Sequence, residues 1–195
     1  MISGIDFGAK EAGTTVIAYA DEDNKVSFCA SRKGQNADLF ILDKIGEYNN
    51  TWLVFIDAPL SLPRVYQGGA TTQDYFYREA DRITGAMSPM FLGGLTARAM
   101  KIATELRRQG ITVVETYPSK LAEVLSLKSM GYKGRKENLI LVCNKLKEIS
   151  ELDFDNAEVK NWHYFDALLS LYSAKRYEIQ ASMEFGNVIE GTITV

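Results

Sequence analysis

The chain has 195 residues and a formal net charge of −3, with 22 Lys and Arg against 25 Asp and Glu. Apolar residues make up 46% and charged residues 24%, as in an ordinary globular protein. These values exclude a strongly basic nucleic-acid-binding protein and an acidic disordered chain. The length fits one domain and is too short for a large two-lobed enzyme.

The chain begins without the features of a targeting segment. No basic stretch leads into a long apolar run near Met1, and no run of about 18 or more apolar residues occurs anywhere. We therefore expect no secretory signal, no transmembrane helix and no membrane partner. The expected location is cytoplasmic.

The first part of the chain predicts an antiparallel meander followed by a helix and a buried strand. Gly13 and the acidic residues 21–24 have the character of turns. A continuous apolar run that ends at Asp57 is typical of a strand buried on both faces. The predicted elements are strands at residues 2–7, 14–19 and 26–30, a helix at about 36–48, and a strand at 52–56.

The second part is irregular at first and then alternates between helices and strands. Prolines and paired glycines interrupt residues 60–95, where we predict a short helix near 72–83 and interpret the whole stretch as an insertion into a single domain, 1–195. The later elements predicted are helices at about 95–109, 119–127, 135–149 and 161–177, and strands at 111–114 and 192–195. A meander followed by alternating elements predicts an α/β fold with a mixed five-stranded sheet flanked by helices.

Acidic residues stand where these strands end. Asp6, Asp57 and Glu115 each close a predicted strand, and Asp166 lies at the edge of the apolar stripe of the last helix. Taken singly, each is also explained as a turn or cap residue. Together they can converge on one rim of the sheet, where clustered carboxylates raise each other's pKa and require a cation. Oxygen ligands favour Mg²⁺ or Mn²⁺, and two such ions about 4 Å apart can catalyse phosphodiester hydrolysis.

His163 is the only histidine of the chain and lies one helical turn before Asp166. No second histidine or cysteine pair is available to build a zinc site with it. We expect His163 to be a surface residue or to support a metal-binding carboxylate, and not to bind the metal itself.

Two motifs resemble those of a known superfamily. The segment Gly4-Ile5-Asp6-Phe7-Gly8, with Gly13, resembles the first strand of ribonuclease-H-like proteins, especially the Holliday-junction resolvases. The segment His163-Tyr-Phe-Asp166-Ala167-Leu168 resembles the Asp-Ala-Leu helix of the same resolvases.

The whole chain more closely resembles domain-of-unknown-function family 429, described as predicted nucleases of ribonuclease-H-like fold. The shared landmarks are Ile56-Asp57-Ala58-Pro59-Leu60, Arg78-Glu-Ala-Asp81, Glu115-Thr-Tyr117-Pro118-Ser119, Tyr132-Lys133, Asp166-Ala167 and Glu190-Gly191-Thr-Ile193. The resemblance implies a ribonuclease-H-like fold and nuclease activity, with Asp6, Asp57 and Asp166 as metal ligands. It adds Glu115 as a catalytic candidate, which either joins the metal site or anchors the Tyr117-Pro118 turn.

The charge is unevenly distributed along the chain. Residues 98–147 contain eleven basic residues and four glutamates, so this span carries +7 and the remainder −10. Lys133 and Arg135, in a glycine-flanked loop, are the leading candidates to bind phosphate; most of the other basic residues are equally explained as solvated helix faces. Arg78 either pairs with Asp81, one helical turn away, or positions a substrate phosphate.

Three functions are compatible with these features. The first is a two-metal nuclease acting on nucleic acid, with DNA or RNA undetermined. The second is a non-catalytic module of the same fold that binds nucleic acid or protein. The third is an ATP-dependent phosphotransferase, because Asp6-x-Gly8 followed by Gly13-Thr14-Thr15 also resembles the phosphate loop of the actin and sugar-kinase superfamily. The oligomeric state is open and includes a homodimer.

Overall fold

The computed structural model describes residues 1–48, 50–68 and 74–195. The strands are β1 (Ile2–Asp6), β2 (Val16–Ala20), β3 (Val26–Ala30), β4 (Leu53–Asp57), β5 (Thr112–Glu115), β6 (Glu184–Asn187) and β7 (Gly191–Thr194). The helices are α1 (Ala37–Glu47), α2 (Glu79–Thr84), α3 (Pro89–Leu92), α4 (Gly94–Arg108), α5 (Pro118–Val124), α6 (Asn138–Ile149) and α7 (Trp162–Glu178). Among the described residues, none of these helices combines the length and the apolar character that crossing a membrane requires.

Five strands form one mixed sheet in the order β3-β2-β1-β4-β5. The pairs β1–β2 and β2–β3 are antiparallel, whereas β1–β4 and β4–β5 are parallel. The α/β class and the mixed five-stranded sheet with flanking helices are therefore confirmed.

Both faces of the sheet are covered, which explains why its central strands are apolar along their whole length. On one face, Ile5 and Ile56 pack with Ile41 of α1 and Ile102 of α4. The opposite face packs against α5, α6 and α7. The loops at the carboxyl ends of β1 and β4 thus open between two layers of helices.

Gly4 of β1 allows α7 to lie directly on the sheet. A Cβ atom at this position would stand 2.0 Å from the backbone nitrogen of Leu171 and 2.5 Å from the carbonyl oxygen of Ala167, closer than side-chain atoms pack. Because α7 approaches so closely, most of its residues from Phe165 to Ala174 are buried. Asp166 is only 3% exposed. It is therefore more buried than we expect for a residue at the edge of the apolar stripe.

The irregular segment before α4 differs from the prediction. Part of the helix predicted near 72–83 lies outside the described residues, and the observed helix begins only at Glu79. The reason is local: the carboxylate of Asp74 accepts hydrogen bonds from the backbone N–H groups of Phe76 and Tyr77, which forms a turn, and Arg78 is extended. The short helix α3 was not predicted.

The predicted terminal strand, β7, pairs with a strand that was not predicted, β6, in a separate two-stranded sheet. This hairpin packs on α2, where a Cβ atom at Gly186 would lie 2.7 Å from that of Ala80. The buried carboxylate of Glu190 accepts hydrogen bonds from the N–H groups of Arg64 and Glu79. The hairpin therefore holds the irregular segment in place beside the main sheet.

Candidate metal centre

Three carboxylates meet at the carboxyl ends of the central strands. Asp6 and Asp57 are register partners on the parallel strands β1 and β4, so their backbones end side by side. Asp166 comes from the second turn of α7. One ligand oxygen from each of the three lies within 4.8 Å of the others. The convergence expected of these three residues is present.

The cluster is largely withdrawn from solvent, and this raises the pKa of every member. Burial raises the pKa of Asp6 above its usual value and that of Asp166 to about 6. Burial, and then the negative charges of Asp6 and Asp166, raise the pKa of Asp57 well above its usual value. Full ionisation of the three carboxylates therefore requires nearby positive charge.

Both oxygens of Asp166 have partners within the protein. The Tyr132 hydroxyl donates to Oδ1 at 2.6 Å, and the Lys133 ammonium lies 2.8 Å from Oδ2. Lys133 has a left-handed backbone (φ 58°), part of the tight turn that directs these neighbouring side chains to one carboxylate. Burial lowers the pKa of Lys133, but the surrounding carboxylates raise it by more, so this side chain stays protonated.

Asp6 has a different partner, His163, whose Nδ1 atom lies 2.8 Å from Oδ2 of the carboxylate. This hydrogen bond raises the pKa of His163, and hence favours its charged form. Asn161 fixes the turn that carries the imidazole, because its side-chain oxygen accepts from the N–H groups of His163 and Tyr164. The imidazole thus lies against a candidate ligand, as one of the two sequence expectations for this residue required.

Asp57 is the member without such a partner. Among the described residues, neither a hydrogen-bond donor nor a cationic group pairs with its carboxylate. It faces a cavity of about 360 Å³ whose wall it shares with Lys133. A set of three close carboxylates, one of them open to a cavity, fits a hard divalent cation such as Mg²⁺ or Mn²⁺, which prefers oxygen ligands.

Glu115 does not belong to this cluster, although it ends β5 as Asp57 ends β4. Its two oxygens accept from the guanidinium of Arg78 at 2.6 and 2.7 Å. One of them also accepts from the backbone N–H of Leu60, at 2.8 Å. The sequence left open whether Glu115 binds metal or anchors the Tyr117-Pro118 turn. In the structure, Glu115 instead anchors Arg78 and the chain that follows β4.

The placement of Arg78 disfavours its assignment as a substrate-binding residue. Its side chain is completely buried, and its five N–H donors are engaged by Asp81, Glu115 and Ser61. The pairing with Asp81 that the spacing allowed is thus formed, and no donor is left for a phosphate. Arg78 joins α2 to the end of β5.

Most basic residues of the 98–147 span are engaged locally. Lys120 and Lys128 pair with Glu123, and the guanidinium of Arg98 pairs with Asp38. Arg135, in contrast, is exposed in the loop two residues after Lys133 and has no ion-pair partner in the described part of the chain. Of the phosphate-binding candidates, Lys133 lies at the carboxylates and Arg135 faces solvent beside it.

The glycine-rich loop after β1 is held by a hydrogen bond between its own residues. The Gly8 N–H donates to the Thr15 hydroxyl at 3.1 Å, and a Cβ atom at Gly8 would lie 2.2 Å from the hydroxyl of Thr14. The Gly8 amide is therefore not free to bind phosphate. This arrangement disfavours the phosphotransferase hypothesis.

Sequence reasoning missed two features of the site. Tyr132 was recognised only as part of a shared motif, since a tyrosine pattern does not reveal a carboxylate 34 residues away. The cavity wall also includes Met87 and Leu92, from the segment whose helices were not predicted correctly.

The fold and the site together define an α/β protein with a three-carboxylate centre at the carboxyl ends of two adjacent parallel strands. Comparison with protein-family models and with curated proteins finds no match to this chain. The function is therefore argued from the geometry.

Proposed function

We propose that the chain is a metal-dependent nuclease of the ribonuclease-H-like superfamily, and that it hydrolyses phosphodiester bonds of nucleic acid with two Mg²⁺ or Mn²⁺ ions. The observation that carries the proposal is the convergence of Asp6, Asp57 and Asp166 within 4.8 Å. In such a centre, paired ions activate a water molecule and stabilise the leaving oxygen. The motif resemblance implies metal ligands at the same three positions.

The residues around the cluster have roles that fit this chemistry. Tyr132 and His163 hold the carboxylates of Asp166 and Asp6 in fixed orientations, as the outer partners of metal ligands do. Lys133 brings a permanent positive charge to the cavity side of the cluster, where it can contact a substrate phosphate. Arg135 extends this positive charge along the loop towards the nucleic-acid backbone.

A second candidate is a non-catalytic module in which the cluster is a charge network that stabilises the fold. One observation favours it: Lys133 and His163 already pair with two of the three carboxylates. The two hypotheses differ in what they predict for Asp57, since a charge network does not require a carboxylate without a partner.

The deciding experiment measures cleavage of single-stranded and duplex DNA and RNA in Mg²⁺, in Mn²⁺ and in a chelator. We expect metal-dependent cleavage that falls more than about 100-fold, or ~2.7 kcal/mol, in Asp57→Asn. The matched control is Asp43→Asn, because Asp43 is an exposed carboxylate on α1. Calorimetric titration with Mn²⁺ should show binding to the wild type and the control, and much weaker binding to Asp57→Asn.

Two results would refute the nuclease. One is cleavage that Asp57→Asn retains in full, which would indicate a contaminating enzyme. The other is tight Mn²⁺ binding without cleavage of any of the four substrates, which would favour the non-catalytic module.

A further inference from the structure

The cavity beside Asp57 has walls of two kinds. Its apolar lining comes mainly from Phe7, Met87, Leu92, Leu95 and Tyr117. Two of its polar side chains, Arg78 and Glu115, are bonded to each other, so they have little capacity left for a ligand. The side chains able to hold a charged group are Asp57 and Lys133, on the side of the carboxylate cluster.

The charged side and the apolar side of the cavity together indicate what kind of ligand fits it. The charged side suits a phosphate bound with metal ions, and the apolar remainder suits a flat or apolar body attached to it. A volume of about 360 Å³ is at the low end for small-molecule sites, which is enough for one nucleoside. A nucleotide carries a phosphate and a flat base close together, as these two sides of the cavity require. A base that is stacked and paired within a duplex cannot enter such a cavity.

Exposed aromatic residues continue this surface outside the cavity. Phe91 is the neighbour of Leu92 on α3, and its ring centroid lies 5.5 Å from that of Phe76. These two side chains are 61% and 53% exposed, and adjacent exposed apolar side chains can serve as an interaction surface. Exposed aromatic rings are a usual means of holding successive bases of a single strand.

We propose that the cavity binds one unstacked base of a single-stranded nucleic acid, next to the phosphate at the carboxylate cluster, and that the Phe76–Phe91 pair stacks with a neighbouring base. The inference rests on the proposed function for its phosphate position. It adds a substrate class: single strands, or single-stranded regions of a larger nucleic acid, in preference to continuous duplex.

The test is equilibrium binding, so that it does not depend on turnover. The probe is a single-stranded oligonucleotide containing one 2-aminopurine, whose fluorescence rises when the base loses its stacking. It is titrated in Ca²⁺, with gel electrophoresis to show that it stays intact. We expect binding with a rise in fluorescence, and affinity at least about tenfold weaker for the same sequence as a duplex.

Three variants locate the binding surface. Phe91→Ala removes the outer stacking surface and Ala86→Leu fills the cavity wall, and each should weaken single-strand binding by about tenfold. The matched control is Ile140→Ala, which shortens an exposed apolar side chain on α6 and should leave affinity unchanged. Thermal melts of all three variants establish that they are folded.

The outcomes separate this inference from the nuclease proposal. Equal affinity for single strand and duplex overturns the proposal of a base-binding cavity, even if Mn²⁺-dependent cleavage is observed. Unchanged single-strand affinity in both Phe91→Ala and Ala86→Leu overturns it as well. Preference for the single strand with loss in both variants supports the cavity even if no cleavage occurs, in which case only the nuclease proposal fails.

Discussion

The ammonium of Lys133 lies 2.8 Å from Oδ2 of Asp166, so a cation of the protein itself occupies one face of the carboxylate cluster. About half of the Lys133 side chain remains exposed, and this residue also lines the cavity. Any divalent ion bound by Asp166 must therefore either displace this ammonium or tolerate it as a neighbour. In both cases Lys133 opposes metal binding, whereas under the proposed function it contacts a substrate phosphate.

The first prediction concerns Lys133→Met. Removing the ammonium should tighten Mn²⁺ binding in the absence of nucleic acid by about tenfold. Two unit charges 4 Å apart interact by ~4 kcal/mol at an effective dielectric constant of 20, and an exposed lysine exerts only a fraction of this. Calorimetric titration at pH 7 measures the change. The same variant should bind single-stranded DNA more weakly, because it loses a phosphate contact.

Lys136→Met is the control for that variant, since Lys136 lies in the same loop and is exposed. It should leave Mn²⁺ affinity unchanged and weaken nucleic-acid binding only slightly. If Lys133→Met instead loses Mn²⁺ affinity, the lysine supports the metal site and does not compete with it.

The second prediction is the pH dependence of stability without metal. The folded-state pKa of Asp166 is about 6 and that of Asp57 is well above its usual value, whereas the unfolded values are about 4. Between these values the folded protein binds more protons, so its free energy of unfolding falls as pH rises. Asp166 alone accounts for about 3 kcal/mol at 1.36 kcal/mol per pKa unit. The raised pKa of His163 extends the fall above pH 6.5.

Urea unfolding in a chelator at a series of pH values measures this fall. Saturating Mn²⁺ should remove most of it, because a bound cation stabilises the ionised carboxylates and binds only the folded state. Asp57→Asn should flatten the pH profile without metal. A profile that is flat in the wild type would mean that Lys133 and His163 neutralise the cluster completely.

The positions of Asp6 and Asp57 could be predicted from the sequence because they depend on local patterns. Each aspartate directly follows an apolar run, and neighbouring parallel strands bring such ends together. Glu115 follows the same pattern, but its carboxylate is hydrogen-bonded to the guanidinium of Arg78, 37 residues earlier in the chain. A pairing over that separation leaves no local signal, so the pattern alone could not tell whether Glu115 joins the other carboxylates.

The burial of Asp166 and the hairpin of β6 were harder to predict, because both depend on contacts between elements. The helical stripe of α7 has polar and small residues on its other faces, and only the close approach at Gly4 buries them. The segment Glu184–Asn187 contains Gly186 at a positive φ and has little strand character of its own. Its pairing with β7 and its packing on α2 make it a strand.

The third prediction tests the structural role of Arg78. Arg78→Met leaves two buried carboxylates, those of Asp81 and Glu115, without their shared cation, and should lower the free energy of unfolding by about 3–5 kcal/mol. Arg82→Met, in the helix α2 that begins directly after Arg78, removes an exposed arginine paired with Asp74 and should cost less than about 1 kcal/mol. Urea unfolding compares the two.

A substrate-binding role for Arg78 makes the opposite prediction for these measurements. In that case Arg78→Met would fold with nearly wild-type stability and lose affinity for nucleic acid. The double variant Arg78→Met/Glu115→Gln provides a further check, because removal of one unpaired charge should recover part of the lost stability.

The last prediction concerns the glycine on which the position of α7 depends. Gly4→Ala places a methyl group 2.0 Å from the backbone of α7, and neither β1 nor α7 can yield without moving other core residues. We expect a loss of more than about 3 kcal/mol and weaker Mn²⁺ binding in whatever remains folded, since any shift of α7 separates Asp166 from Asp6. Gly46→Ala is the matched control: Gly46 lies inside α1 with no atom within 4 Å of the added Cβ. It should gain about 0.5–1 kcal/mol from helix propensity and leave Mn²⁺ affinity unchanged. Thermal melts and calorimetry measure both variants, and a Gly4→Ala protein of wild-type stability would show that α7 does not pack on β1 as closely as described.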